Sequence, residues 1–124
     1  MTKQEEFITK TLMPYFTGEE AFSLDDNGYC VCNGPNGTYC AFAKCVKNPE
    51  SLEEDGNASE ILKMGGFSVL TDKALGMGFS TAEWDAIQDI HDRKGVAYCF
   101  SNLFKYGPFT KLRAAIAAYH ETKK

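Results

Sequence analysis

At 124 residues, with 44% hydrophobic and 13% aromatic side chains, the chain has material for one globular core, spanning residues 1–124, and none for a second domain. That composition excludes a disordered chain. A net charge of −4, with acids crowded into one half, disfavours a general nucleic-acid binder, because that half repels phosphates.

No apolar run approaches the ~18 residues of a membrane span. Met1 to Glu6 lacks the basic-then-apolar layout of a secretory signal. A cytoplasmic protein with no membrane partner is expected. Five cysteines (Cys30, Cys32, Cys40, Cys45, Cys99) make an odd number, which fits reduced thiols better than a disulfide framework. Charge is polarised along the chain. Nine acids between Glu19 and Glu60, Glu53, Glu54 and Asp55 among them, stand against Lys44 and Lys47. Seven bases between Arg93 and Lys124 stand against Glu121. The two halves face each other or are simply solvated, or else the C-terminal half presents a basic surface to an acidic partner.

The first predicted element is a helix over residues 3 to 13. Thr2 can cap it, and Glu5 and Glu6 suit the positive end of its dipole. Ile8, Leu12, Tyr15 and Phe16 recur on one face. Pro14 lacks an amide proton and clashes with the preceding turn, so the helix should stop or kink near Met13. Residues 19 to 28 read as an acidic loop ending in a turn at Asn27-Gly28. Tyr29 to Cys32 is a short β-prone run, and Asn33 to Gly37 is dense in turn residues. A helix from about Tyr39 to Lys47 is preferred over a hairpin strand there, because Ala41, Ala43 and Lys44 are good helix formers. Thr38 would cap it and Pro49 would end it.

After an acidic loop, Asn57 to Met64 fits a short helix stopped by Gly65-Gly66. Phe67 to Leu70 reads as extended, and Thr71 can cap a single helical turn. Ser80-Thr81-Ala82-Glu83 has the form of a capping box, opening a helix to about Arg93. Trp84, Ala86, Ile87 and Ile90 form its apolar face, with His91 at that face's edge. Asp85, Asp89 and Asp92 lie opposite, where paired carboxylates could serve acid–base work or a divalent cation but more commonly form a solvated stripe. Val96 to Phe104 is apolar and aromatic, a strand or an irregular buried helix. Pro108 suits the start of a last helix to about Glu121, with Phe109, Leu112, Ala115, Ile116 and Tyr119 facing inward. The sum is a mainly α fold, α+β at the margin: a compact single domain with a short β element near residues 29–32.

Two constellations bear on chemistry. Cys40, at the start of the expected helix and just past a Gly-rich turn, sits where dipole and free amides favour thiolate. His91 or His120 would be its base, His91 preferred, with Asp92 or Asp89 as the orienting acid. The second is a zinc site from Cys30, Cys32, Cys40 and Cys45. Strand alternation puts Cys30 and Cys32 on one face. Cys40 and Cys45, five apart, diverge by about 140° on a helix and cannot both reach one ion. No other cofactor is expected.

Tyr39-Cys40-Ala41-Phe42-Ala43, followed some 50 residues later by Ile90-His91-Asp92-Arg93-Lys94-Gly95 and a final amphipathic helix, resembles a set of small bacterial and phage proteins. Those carry a Cys-Ala-x-Gly-Ala helix, an Asn-Asp-x-Gly segment and a terminal helix. Here Ala43 replaces the glycine, His91 replaces the asparagine, and residues 96 to 107 are additional. The resemblance implies a compact helical domain of bacterial or phage origin and no activity. Three functions are therefore carried forward: a small interaction or regulatory protein binding another protein, a cysteine-dependent enzyme on Cys40 and His91, and a zinc-stabilised module.

Overall fold

Thr2 opens the first helix. Its hydroxyl accepts the Glu5 amide at 3.0 Å, and the computed structural model, which describes residues 1–52 and 56–123, runs helix α1 over Lys3–Thr17. Glu53, Glu54, Asp55 and Lys124 lie outside the described residues. The expected stop at Met13 does not occur, and Pro14 sits within the helix. Proline removes one amide and disturbs the carbonyls a turn earlier. Lys44 lies against that turn, its ammonium donating to the Thr11 carbonyl at 2.7 Å and to the Glu20 carboxylate at 3.0 Å. A charged donor thus lies one residue from the Lys10 carbonyl, which Pro14 leaves without its helical amide. Gly18, at φ 86°, ends it in the left-handed conformation that glycine adopts without steric penalty.

Residues 19 to 47 hold no α-helix, so the expected helix from Tyr39 to Lys47 is absent. Only a 3-10 turn, Ala43–Cys45, forms there. An antiparallel bridge between Asn33 and Tyr39 keeps the start of the segment extended. The Phe42 amide is taken by the side chain of Gln88 at 2.9 Å, and Val46 pairs with Leu70. Tertiary partners hold the Phe42 and Lys47 amides, the latter through the Val69 carbonyl, and the local bonds of Lys44, Cys45 and Val46 close only a single tight turn between them. The β element near residues 29–32 is one bridge, Leu24 to Cys30.

Helix α2 (Ala58–Gly65) starts at Asn57, whose side chain accepts the Glu60 amide. Asp85 accepts the Ser59 amide at 3.1 Å in the same first turn. It therefore caps a neighbouring helix rather than belonging to a solvated stripe. Phe67–Val69 is a 3-10 turn, not an extended run, and Thr71 caps α3 (Asp72–Leu75) as expected.

Helix α4 (Thr81–Asp92) carries the complete capping box. Glu83 N–H donates to Ser80 Oγ at 3.1 Å, and Ser80 N–H to Glu83 Oε1 at 2.9 Å. Trp84, Ala86, Ile87 and Ile90 are buried. The apolar run after Gly95 makes two 3-10 turns, Ala97–Phe100 and Phe104–Tyr106, and α5 (Thr110–Thr122) follows. Pro108 is not its first residue. Phe109, buried and at φ 53°, occupies the cap position instead.

The result is mainly helical. Helix α1 packs on α4 and α5, and α2 packs on α4. Trp84 stands at the centre with Phe7, Phe42 and Phe79 edge-on to its ring. No helix among the described residues is long and apolar enough to cross a membrane.

Candidate functional site

The last turn of α4 gathers the chain's polar core. Gln88 and Asp92 are four apart, so they share a helix face. Gln88 Nε2 donates to Asp92 Oδ1 at 2.6 Å, while its Oε1 accepts the Phe42 amide. His91 is wholly buried, edge-on to Tyr15 at 4.6 Å and tilted against Phe22 at 5.2 Å. It does not rest at the helix edge below Trp84. Its Nδ1 lies 2.8 Å from Asp92 Oδ1, and its Nε2 accepts the Ser23 amide at 3.3 Å. One donor and one acceptor fit the neutral ring protonated on Nδ1. The Cys30 thiol, half-buried, donates to the Asp92 carbonyl at 3.4 Å.

Cys30, His91 and Asp92 thus bring one sulfur, one nitrogen and one oxygen donor within 4.8 Å of one another. The histidine and the aspartate singled out from sequence do meet, and the cysteine beside them is Cys30. Cys40 lies elsewhere in its contacts. It is completely buried, 3.3 Å from Cys32 Sγ, and accepts the Ala43 amide at 3.3 Å. It starts no helix, so the dipole argument for a thiolate loses its basis. The bond to Cys32 and burial push its thiol well above the ordinary thiol range. Cys45 is buried separately and is pushed up to about 12 by desolvation. The expected four-cysteine set therefore divides into Cys30 by His91, the pair Cys32 and Cys40, and Cys45.

Nucleophilic catalysis needs a base nitrogen facing the thiol. Here Nε2 already accepts the Ser23 amide, and Nδ1 is engaged by Asp92. Burial, and then the Asp92 charge, hold the Cys30 thiol above its ordinary value as well. The arrangement can clamp loops 22–31 and 39–42 onto α4, and its donor set suits a soft divalent metal. Gln88 and Ser23 were missed from sequence. A signal for Gln88 existed: Trp84, Gln88 and His91 are spaced four and three apart, which puts a polar residue on the buried stripe. Nothing local marks Ser23.

No protein-family model, curated protein or solved structure matches the chain.

Proposed function

We propose that this chain is a small interaction protein that binds another protein through an apolar strip on α2, α3 and the turn between them. The observation that supports it is the exposure of large apolar side chains there: Met64 at 89%, Phe67 at 40% and Leu75 at 44%. Phe67 and Leu75 line a groove floored by Phe79 and Trp84, and Met64 lines a second one with Leu52, Ile61 and Val69. Exposed apolar side chains beside ready pockets are what a partner's side chains fill.

A photo-reactive benzophenone residue placed at Met64 or Leu75, in cells of the organism that makes the protein, should yield an adduct with one other protein. The same residue at Lys111, on α5, should not. Phe67→Asp should weaken that adduct roughly tenfold or more and leave the melting curve unchanged. Equal yields from Lys111, no adduct at all, or an adduct between two copies of this chain would each sink the proposal.

A second reading rests on the Cys30, His91 and Asp92 cluster, whose three donors suit zinc with an open fourth position. Zinc on Nδ1 would replace the proton now shared with Asp92. Nε2 would then carry a proton, and the Ser23 amide would have to turn away from it. Purified protein dialysed against zinc should hold about one ion per chain. Cys30→Ser and Asp92→Asn should both lose it, and the Ser23 amide resonance should shift on loading. Zinc bound equally well by those variants, or not retained at all, ends this reading.

A further inference from the structure

The segment between Val31 and Ala41 turns back on itself. Pro35–Gly37 makes the turn, and Asn33 pairs with Tyr39 in antiparallel register. One residue outward on each side, Cys32 and Cys40 stand directly opposite, joined by the Cys40 amide donating to the Cys32 carbonyl at 3.1 Å. Opposed residues of an antiparallel pair carry their side chains on the same face, with Cα atoms ~5.5 Å apart. That spacing lies inside the range a disulfide spans, ~4.4–6.8 Å. The two sulfurs are already 3.3 Å apart, both as free thiols.

We infer that Cys32 and Cys40 form a redox site that closes to a disulfide when the protein meets a hydroperoxide. Cys32 is the attacking sulfur. It retains 4% exposure where Cys40 has none, and it accepts the Cys40 S–H. That bond, outweighing burial, holds the Cys32 thiol below its ordinary value. The Cys32 thiolate attacks one peroxide oxygen, the O–O bond breaks, and hydroxide or alkoxide leaves with the electron pair. Cys32 becomes a sulfenic acid. Cys40 sulfur then displaces the sulfenic hydroxyl, its proton leaving with that group as water. In sum, two thiols and one hydroperoxide give one disulfide, one water and one further water or alcohol. A small oxidant is required, since neither sulfur has room for a protein partner. The Cys30 thiol is engaged outside this pair, donating to the Asp92 carbonyl, and burial holds it above its ordinary value.

The test uses the full chain, fully reduced and then treated with a small molar excess of hydrogen peroxide. Free thiols are alkylated with iodoacetamide in denaturant, the protein is reduced, and newly freed thiols take N-ethylmaleimide. Mass spectrometry should place maleimide on Cys32 and Cys40 and acetamide on Cys30, Cys45 and Cys99. The intact chain should lose two hydrogens in mass. Its melting temperature should rise by about 5–10 °C through closure of a short loop, and dithiothreitol should reverse both changes. A Cys32→Ala, Cys40→Ala double variant should show no peroxide-dependent rise. The inference is overturned if the maleimide falls on another pair, if the chain forms an intermolecular dimer, if Cys32 proceeds to sulfinic acid while Cys40 stays free, or if both cysteines remain reduced. The labelling reads the natural chain, so a variant that fails to fold does not shield the inference.

Discussion

Trp84→Ala should lower unfolding stability by about 4 kcal/mol, a fall of roughly 15 °C in melting temperature for a chain of this size. The indole is fully buried where α4 meets α1, flanked edge-on by Phe7, Phe42 and Phe79. Its removal empties the meeting point of three segments, and rings held by their own backbones cannot all collapse into the space. Trp84→Phe should cost much less, about 1–2 kcal/mol. The indole N–H finds no acceptor among the described residues, so losing it sacrifices no hydrogen bond and relieves a buried unpaired donor. Urea denaturation followed by far-UV circular dichroism measures both variants, which lack the chain's single tryptophan as a fluorophore. Equal losses for the two substitutions would mean that the N–H does matter and that the packing argument is incomplete.

The second large effect is expected at Glu5. Its side chain is only 4% exposed, and Oε2 accepts the Phe109 amide at 2.7 Å. Phe109 is the cap residue of α5 and no side chain of its own segment serves that end. One carboxylate therefore sits at the start of its own helix and also answers the positive end of another. It fills the space beside Gly107 so closely that any side chain at 107 would run into it, and Gly107 is at φ 153°. Thr2 strengthens the clamp by donating to the Tyr106 carbonyl at 2.7 Å. Glu5→Ala strands a buried amide and opens a void, and about 3 kcal/mol should be lost. Glu5→Gln keeps the acceptor oxygen and the volume but not the charge, so the loss should be about 1 kcal/mol. Hydrogen exchange should quicken first in the opening turn of α5. If both variants stay within ~0.5 kcal/mol of the natural chain, as surface changes do, Glu5 does not hold the two helices together.

Both effects turn on residues whose types were plain in the sequence but whose partners were not. Glu5 reads as a first-turn acid on α1, which it is. Nothing within four residues announces that it also caps α5, over a hundred positions away. His91 and Asp92 stand out as a possible acid–base pair and do hydrogen-bond. The sequence pointed to Cys40 as the cysteine to watch because it follows a Gly-rich turn, and that inference required a helix whose amides were still free. The Gln88 side chain, forty-six residues further on, holds the Phe42 amide instead.

What the sequence by itself determined is what short-range physics decides. The caps at Thr2, Asn57, Thr71 and Ser80 each involve an amide three residues on, so their helices start where expected. The apolar stripes of α1 and α4 follow from a period of ~3.6 residues, and they bury the residues named from it. Only the tertiary structure decided the rest. It carried α1 through Pro14, by burying Leu12 before the proline and Tyr15 and Phe16 after it. It kept residues 39 to 47 from growing beyond one tight turn, by pairing the Cys40, Phe42 and Lys47 amides with Cys32, Gln88 and Val69. It also sorted the cysteines, placing Cys30 by His91 and Cys32 by Cys40. An antiparallel register and a distant helix face set those distances, and neither is encoded in the spacing of the cysteines themselves.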